Sequence, residues 1–466
     1  MLTANTISDL RNNSSNTPQT VLVKHFSTPG DLGGGLFWKD ASDTTSADNT
    51  GLVIVDTAGN RWKRLYNGLV SVRWFGARGN NAADDRSAIQ NAINTVAAHN
   101  TTSKGNEIFF PAGFYRTSST LIINKAGVSF LGEGNATTRI ISTFAAGDVL
   151  RIDSVSGNTI DNIGFDTTVT RTSGAYINVH NTYNTRLRNL VIINGYTGIS
   201  FTSNGSFYDC YVENFLINGA SRNGIAAGET GTGHSGKVQN LFISNGEISN
   251  VGDHGVFLGN ISGAVLNTVD TLQCRIGHVL YPSKNQEIYA VHLTACVADN
   301  CVETGIKIIS NGGKITNVTL VDCWSASNGT GNIVGHGIEI GGSGGRVSNI
   351  ALSCCQITNN RDHGIWVYDT QGLTLSNVIS SCNSVSGRSN SHGIYINGNT
   401  SRINIHGGIF GNGGVSTTNN QSYGIYIGGG SGNYHNVIGV DALGNVSGGI
   451  YNGAGGANSN FIANWG

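Results

Sequence analysis

Three carboxylates in the second half of the chain are the side chains best suited to acid–base chemistry. They are Glu303, Glu339 and Asp362, in a sequence of 466 residues of which only 12% are charged. Cleavage of a glycosidic bond uses two carboxyl groups, one as acid and one as base or nucleophile, at separations of roughly 5 to 9.5 Å. We predict Glu339 and Asp362 as the acid–base pair, with Glu303 as the alternate. The competing interpretation is that all three are solvated charges in turns.

Large side chains recur at the position that follows each Gly-Ile or Gly-Val pair. In chain order these side chains are Phe257, Lys307, Glu339, Trp366, Tyr395 and Tyr426. Surfaces rarely line up so many aromatic residues unless they bind something, and rigid rings suit the apolar faces of sugars. We predict that Trp366, Tyr395 and Lys307 bind substrate, and that Trp324 adds to such a surface from a different side. Burial in an interface is the alternative.

Histidines form a further column, directly before the glycine of the same motif. The column consists of His254, His336, His363 and His392. The simpler interpretation is that the rings stack at one corner of the repeat. Alternatively, His336 or His363 binds substrate or is the base of a lyase, which also needs a cation such as Lys307 beside a uronate carboxylate. The spacing of His, Cys, Asp and Glu predicts no metal site, and the sequence predicts no cofactor.

A repeated motif places these residues on successive units of one fold. The motif recurs at 196–199, 222–225, 253–256, 303–306, 335–338, 362–365, 391–394, 422–425 and 447–450, with Ile276–Val279 interpreted as a degraded copy. The isoleucines at 338, 365, 394, 425 and 450 give intervals of 27, 29, 31 and 25 residues. A variable period in this range is typical of coils whose turns carry loops of different length.

The residues around the motif alternate as β-strands do. This alternation predicts six side chains inside the fold: Ile338, Ile340, Ile365, Val367, Ile394 and Ile396. A second strand in several repeats ends in cysteine, and we expect the eight cysteines to be reduced thiols buried in the core. With 67 glycines and 4 prolines, the chain suits short strands joined by tight turns. The predicted fold is all-β, a right-handed single-stranded parallel β-helix.

The chain divides into three predicted parts. Residues 1–70 lack the repeat and indicate a small β-rich head, and residues 71–104 a neck with a helix that caps the solenoid. Residues 105–466 form the β-helix. In the helix, Ile89, Ala92, Ile93 and Val96 fall on one face, and Asp84 or Asp85 can cap its start.

Charge and hydropathy exclude some partners. The net charge is −1 without a basic cluster, so we expect no nucleic acid partner. No apolar run reaches the roughly 18 residues that a membrane helix needs, so no membrane insertion is expected. The first residues also lack the pattern of a secretion signal.

Residues 20–140 resemble the start of phage tailspikes with pectate-lyase-like folds. The resemblance is carried by Val21–Asp40, Arg61–Leu65, Val72–Gly79, Ile108–Tyr115 and Val128–Gly134. Asn80 and Asn81 stand where the family often has Asp-Gly, which affects a turn and not the fold. These motifs are architectural, and the resemblance transfers no catalytic residue.

The resemblance implies a homotrimer on the virion, assembled in the host cytoplasm and attached to the phage tail or baseplate through the N-terminal head. Such a protein binds, and usually degrades, capsule, O-antigen or exopolysaccharide at the bacterial surface. With the carboxylates and rings above, it favours a tailspike depolymerase, with glycoside hydrolysis as the preferred reaction. A polysaccharide lyase and a non-enzymatic receptor-binding spike are the alternatives.

Overall fold

The structure is a computed structural model of two compact units, Met1–Gly195 and Tyr196–Gly466. The residues that it describes are 2–12, 19–98, 106–205, 207–229, 236–343, 346–385, 390–411, 421–430, 432, 434–454 and 459–462.

A small five-stranded sheet opens the first unit, as the sequence predicts. Its strands are β1 (Leu2–Ala4), β2 (Thr20–Val23), β3 (Gly35–Asp40), β4 (Val53–Val55) and β5 (Arg61–Arg64), with helix α1 (Ile7–Arg11) beside them. The strand order is β1-β2-β3-β5-β4, and only the β1–β2 pair is parallel. One apolar cluster holds sheet and helix together: Ile7, Leu10, Val21, Val23, Phe37, Ile54 and Trp62.

The rest of the first unit is built from short parallel strands. Their bounds are β6 (Val70–Ser71), β7 (Asn80–Asp84), β8 (Glu107–Phe110), β9 (Gly113–Thr117), β10 (Leu121–Ile123), β11 (Ser129–Gly132), β12 (Thr138–Ser142), β13 (Leu150–Asp153), β14 (Thr159–Asp161), β15 (Gly164–Thr167), β16 (Ala175–His180) and β17 (Arg186–Ile193). Strands β10, β13 and β16 belong to one sheet and the others to a second sheet. The chain thus coils between two parallel sheets.

Helix α2 (Arg86–Ala98) lies between β7 and β8, where the capping helix is predicted. Its predicted apolar face is buried, with Ile89, Ala92, Ile93 and Val96 at most 1% exposed. Asp84 accepts a hydrogen bond from the first backbone N–H of the helix. The Asp85 carboxylate accepts from the backbone N–H groups of residues 78 and 79. Both aspartates therefore have structural roles, as expected.

The second unit continues the coil pattern with longer strands. Their bounds are β18 (Thr197–Thr202), β19 (Cys210–Asn218), β20 (Asn223–Ala227), β21 (Val238–Ser249), β22 (His254–Leu258), β23 (Ile261–Leu272), β24 (Ile276–Leu280), β25 (Glu287–Thr294), β26 (Val297–Asp299), β27 (Ile306–Asn311), β28 (Lys314–Val321), β29 (Trp324–Ala326), β30 (Ile338–Ser343), β31 (Arg346–Ser353), β32 (Gln356–Thr358), β33 (Ile365–Tyr368), β34 (Thr370–Ser376), β35 (Ile379–Ser381), β36 (Ile394–Asn397), β37 (Ser401–His406), β38 (Tyr423–Ile427), β39 (Asn436–Ile438), β40 (Gly448–Asn452) and β41 (Asn460–Ile462).

The repeated motif forms one parallel sheet of this unit, which we call the motif sheet. It runs in the order β18-β20-β22-β24-β27-β30-β33-β36-β38-β40, and the remaining strands of the unit belong to a second parallel sheet. Because the chain returns to the motif sheet after every one or two strands of the second sheet, each repeat is one coil of a parallel β-helix. The predicted fold class is confirmed.

The inside of the coils contains the predicted ladders. Ile338 pairs in register with Ile365, and Ile365 with Ile394. All six side chains predicted to face inward are at most 1% exposed. Because each ladder buries apolar side chains on every coil, it stabilises the stack without fixing what the outer face carries.

Cysteines form a further internal ladder. Cys296, Cys323 and Cys355 each point a thiol to a backbone carbonyl of the preceding coil at 3.5–3.6 Å. All eight cysteines are free, and six are buried. The expectation of buried thiols is wrong for Cys354, which is exposed. Cys354 and Cys355 lie between β31 and β32, where the backbone turns at Cys354 with a φ of 54°.

The copy at Ile276–Val279 is degraded in an unexpected way. His278 takes the inward position, in register with Val256 and Ile306, and is fully buried. Burial lowers the pKa of His278 to about 4, so the ring is neutral inside the core. Val279 consequently lies on the outer face.

Candidate functional site

The outer face of the motif sheet carries the predicted column of large side chains. Register partners on consecutive strands run in the order Phe257, Val279, Lys307, Glu339, Trp366, Tyr395, Tyr426 and Tyr451. The predicted alignment is therefore confirmed, and the structure adds Val279 and Tyr451. We call this set the outer column.

A pocket of about 530 Å³ opens at the N-terminal part of the outer column. Its lining residues are Arg222, Glu229, Asp253, His254, Phe257, Ile276, Val279, Tyr281, Lys307, Ile309, Glu339 and Tyr368. Three carboxylates and two cations thus share one concave surface with apolar and tyrosine walls. Such a combination of an apolar pocket and a few polar groups is typical of a small-molecule or catalytic site.

Glu339 is the most enclosed carboxylate of the outer column, with 6% of the residue exposed. Its Oε2 lies 3.2 Å from Nζ of Lys307, and its Oε1 accepts a hydrogen bond of 3.2 Å from the Tyr368 hydroxyl. Burial raises the pKa of Glu339, while Lys307 and the hydroxyl oppose that rise. A carboxyl group in such surroundings can keep its proton nearer to neutral pH and act as a general acid.

Glu229 forms the opposite part of the pocket lining. Its Oε1 is ion-paired with the guanidinium of Arg222, and its Oε2 lies 3.5 Å from the side-chain amide of Asn223. Burial raises the pKa of Glu229, and Arg222 opposes that rise. Sequence reasoning missed Glu229, because it lies beyond the end of β20 and follows no repeat.

Asp253 is the third carboxylate of the pocket, and Arg275 links it to the predicted Glu303. Nη1 of Arg275 lies 2.8 Å from Asp253, and its Nε lies 2.8 Å from Glu303. Asp253 lines the pocket, whereas Glu303 is not among the lining residues. The structure thus places Glu303 next to a pocket residue rather than in the pocket itself.

His254 stands beside Asp253 in the same lining. Its Nδ1 lies 3.0 Å from the side-chain oxygen of Asn223, and its Nε2 lies 3.4 Å from Asp253. Burial lowers the pKa of His254. A neutral imidazole at this position is able to accept a proton.

The structure does not bring Asp362 into this pocket with Glu339. Asp362 is 4% exposed, and its carboxylate accepts a hydrogen bond of 2.9 Å from the buried backbone N–H of Gly335. It precedes β33, in a turn where the backbone needs an acceptor. The spacing between Asp362 and the following Ile365 correctly predicts the position of Asp362 on the coil. It does not reveal that the carboxylate binds the Gly335 backbone N–H.

Three members of the histidine column stack, as the simpler interpretation expects, whereas His254 lines the pocket. Imidazole centroids lie 5.2 Å apart between His336 and His363 and 5.3 Å apart between His363 and His392, with planes within 20°. Nδ1 of His363 accepts the backbone N–H of His392, and Nδ1 of His392 accepts that of Tyr423. The rings therefore join neighbouring coils, which is a structural role.

The aromatic members of the outer column lie over this stack. Trp366 contacts His336 at a centroid distance of 5.0 Å, and Tyr395 contacts His363 at 4.8 Å. Tyr426 lies between His392 and Tyr451, each at 4.5 Å and nearly parallel. The ring faces that we predicted for sugars are thus partly covered by one another, and the edges and hydroxyls remain for a ligand.

Trp324 lies on the other sheet, as predicted. It begins β29 and is 42% exposed, with Val297 and Gln356 as its register partners. It is therefore separate from the outer column.

Tyr368 is a further residue that the sequence analysis missed, although strand alternation points to it. It lies two residues after Trp366 in β33 and hence on the same face. A side chain at Gly341 would come within 2.6 Å of its ring. The glycine gives the tyrosine the room to reach Glu339.

Within the described part of the chain, no group of three or more His, Cys, Asp or Glu side chains is arranged to hold a metal ion. None of the helices described there is long and apolar enough to cross a membrane.

Two protein families match consecutive parts of the chain. Residues 3–67 match the phage tail protein small four-stranded β-sheet domain. Residues 69–279 match the pectate-lyase-like domain of rhamnogalacturonase A and epimerase. The chain thus combines a phage tail β-sheet domain with a pectate-lyase-like β-helix, as the sequence resemblance implies.

Solved structures with the same fold include phage tailspikes and a bacterial epimerase. Tailspike gp49 of Acinetobacter baumannii bacteriophage Fri1, a capsular polysaccharide depolymerase, aligns with a TM-score of 0.59 at 12% identity over 88% of this chain and 72% of its own. Tailspike protein 2 of an Escherichia coli O157:H7 bacteriophage aligns with a TM-score of 0.55 at 16% identity, over 88% of this chain and 51% of its own. The A-module of the Azotobacter vinelandii mannuronan C-5 epimerase AlgE4 aligns with a TM-score of 0.55 at 18% identity, over 84% of this chain and 98% of its own. The chain spans about half the length of the Escherichia coli phage tailspike, and identities this low establish the fold alone.

Proposed function

We propose that this chain cleaves a bacterial surface polysaccharide in the pocket around Glu339, by glycoside hydrolysis. One observation carries the proposal: the pocket brings the buried Glu339 carboxyl, with its raised pKa, together with two further carboxylates, Asp253 and Glu229. Paired carboxyl groups in different surroundings are the requirement for acid and base roles in glycoside hydrolysis.

In this mechanism Glu339 is the general acid. Enclosure favours its protonated form, and Lys307 at 3.2 Å stabilises the carboxylate that remains after the proton passes to the leaving oxygen. Asp253 is the second carboxylate, which activates water or attacks the sugar. Arg275 holds Asp253 in place through their 2.8 Å ion pair. This assignment replaces Asp362 with Asp253 in the pair predicted from sequence.

Two observations support a bacterial surface polysaccharide as the substrate, one from the N-terminal domain and one from the fold. The N-terminal domain matches a phage tail family, and gp49, which shares the fold, is a capsular polysaccharide depolymerase. We further propose attachment to the phage tail through residues 3–67, trimer assembly, and action at the bacterial surface. Lys307, which lines the pocket, and Trp366, which lies two strands further along the outer column, remain predicted substrate contacts. His336, His363 and Trp324 are not among the described lining residues, and their predicted role in substrate binding stays a prediction.

A lyase is the second candidate, because the pocket also contains the groups that β-elimination needs. His254 has a pKa lowered by burial and stands ready as a base. Arg222 and Lys307 are cations in the same lining, able to neutralise a uronate carboxylate. In a lyase Glu339 would hold Lys307 rather than donate a proton.

The test is to incubate the protein with purified capsule and O-antigen polysaccharides, and to follow reducing ends, ultraviolet absorbance and fragment mass. The hydrolase predicts new reducing ends and one added water per cleavage, without new absorbance. Fragments that absorb ultraviolet light and are one water lighter than the corresponding hydrolysis products would establish the lyase. Binding without cleavage would contradict both and favour a receptor-binding spike.

A further inference from the structure

Four tyrosines gather on the C-terminal coils of the motif sheet, and we call them the tyrosine patch. They are Tyr395 in β36, Tyr423 and Tyr426 in β38, and Tyr451 in β40. Ring centroids lie 5.5 Å apart for Tyr395–Tyr426, 5.6 Å for Tyr423–Tyr426 and 5.5 Å for Tyr423–Tyr451. Tyr451 is 41% exposed, and the other three are half-buried. The patch therefore presents ring edges and phenol hydroxyls to solvent.

The strands that carry the patch have no charged residue. Their sequences are Ile-Tyr-Ile-Asn for β36, Tyr-Gly-Ile-Tyr-Ile for β38 and Gly-Gly-Ile-Tyr-Asn for β40. The histidine beneath them, His392, stays neutral because burial lowers its pKa to about 4. Tyrosines offer rigid apolar area and a hydrogen-bonding hydroxyl at little cost in side-chain entropy. Such a surface suits an uncharged partner that is rich in both C–H and hydroxyl groups, as neutral sugar rings are.

The patch is continuous with the pocket through other rings. Tyr368, which donates to Glu339, contacts Trp366 at a centroid distance of 4.7 Å. His336 and His363 connect Trp366 to Tyr395. From Glu339, the register of the outer column reaches Tyr426 after three strands and Tyr451 after four. At a strand spacing of about 4.8 Å these steps amount to roughly 14 and 19 Å.

We propose that the tyrosine patch is a holding site for an uncharged segment of the polysaccharide, separate from the pocket in which the polymer is cut. The proposal rests on the proposed function for the identity of the polymer. A chain that extends from Glu339 along the motif sheet meets the patch several sugar units away. The patch then retains the polymer without taking part in the bond cleavage, so its loss affects long substrates and spares short ones.

Binding without turnover gives the sharpest test. Glu339→Gln is immobilised, and a panel of purified capsule and O-antigen polysaccharides, neutral and uronate-containing, is passed over it in surface plasmon resonance. The same variant with Tyr426→Phe and Tyr451→Phe keeps the stacked rings and removes two hydroxyls. A second set carries alanine at both positions. The matched control is Tyr289→Ala, because Tyr289 is 43% exposed on the other sheet.

The expected result is at least tenfold weaker binding for both double variants, which corresponds to a loss of about 1.4 kcal/mol or more in binding free energy, and less than a twofold change for the control. With the active chain, the double phenylalanine variant should raise KM on polymer and leave kcat on short fragments unchanged. Unchanged affinity and KM in both variants, or no polysaccharide bound by Glu339→Gln, would overturn the proposal. Patch-dependent binding with no cleavage by the wild type would instead refute the proposed function and uphold the holding site.

Discussion

The outer column of the motif sheet has two stretches that share a backbone geometry and differ in chemistry. The first runs from Phe257 to Glu339 and contains Lys307 and Glu339 at the pocket. The second runs from Trp366 to Tyr451 and consists of aromatic rings only. Beneath both, the inward ladder from Val256 to Ile425 consists of buried aliphatic residues, except for His278.

This difference shows how the fold separates stability from function. Each coil needs its inward residues to be apolar, because burial of apolar area holds the stack together. The outer residue of the same strand is under no such requirement. A carboxyl group can be enclosed on one coil and a ring stacked on the next, at a spacing that the ladder fixes. Each of the following experiments changes one stretch and compares it with the other.

The largest expected effect is on the charged stretch. Glu339→Gln removes the proposed acid and should lower kcat on polysaccharide by about 100- to 10,000-fold, measured from reducing ends. Glu303→Gln is the matched control, since Glu303 bonds to Arg275 and does not line the pocket. We expect it to stay within threefold of the wild type. Comparable losses of kcat in the two variants would contradict the assignment of Glu339, rather than Glu303, as the acid.

A smaller effect is expected at the junction of the two stretches. Tyr368→Phe removes the hydroxyl that donates to Glu339. That hydrogen bond favours the ionised carboxylate, so its loss should raise the pKa of Glu339 further. The decrease of kcat on the alkaline side of the pH profile should therefore shift to higher pH. Gly341→Ala should reproduce the shift, because its methyl group would come within 2.6 Å of the tyrosine ring.

We expect each of these two variants to lose up to about tenfold in kcat. Tyr281→Phe is the control, as Tyr281 lines the same pocket and no hydrogen bond joins it to Glu339 among those described. If kcat depended on pH in the same way in Tyr368→Phe and in the wild type, the hydroxyl would have no effect on the pKa of Glu339.

The repeat made most of the fold and half of the site predictable. Gly-Ile spacing predicted the coils, and alternation predicted the register of Lys307, Glu339 and Trp366. Glu229 escaped prediction because it follows the end of a strand and belongs to no repeat. Asp362 lies on the repeat, but the spacing does not reveal that its carboxylate accepts a hydrogen bond from the Gly335 backbone N–H. In the degraded copy, nothing in the sequence shows that His278 points inward and that Val279 lies on the outer face of the strand.

The aromatic stretch should make the protein sensitive to acid. Burial lowers the pKa of His336 to about 3 and of His392 to about 4, and it lowers that of His363 well below its usual range. Between about pH 6.5 and pH 4 the unfolded chain takes up protons that these folded rings exclude. The free energy of unfolding should therefore fall as pH decreases through that window.

Urea denaturation at pH 7 and pH 4.5 measures this change. His336→Phe keeps a ring in the stack and removes one titrating group, so it should reduce the pH dependence. His336 is the suitable position because its Nδ1 has no hydrogen-bond partner in the structure, unlike that of His363. An unchanged pH dependence in the variant would contradict a contribution from His336.

The smallest effect on activity is expected at Asp362. Asp362→Asn keeps an oxygen for the Gly335 N–H but loses its charge, which should cost about 1 kcal/mol of unfolding free energy and change kcat less than threefold. Asp253→Asn, in the pocket, should instead lose at least 100-fold in kcat. If the two variants behaved in the opposite way, the carboxylate pair predicted from sequence alone would be the correct one.

The central claim is that polysaccharide lies along the outer column of the motif sheet, with the cleaved bond at Glu339. A crystal structure of Glu339→Gln soaked with fragments of a surface polysaccharide that the wild type cleaves tests it most directly. We predict sugar density in the pocket between Glu339 and Asp253 that continues past Trp366 to the tyrosine patch. Density confined to the other sheet, around Trp324, would contradict the account.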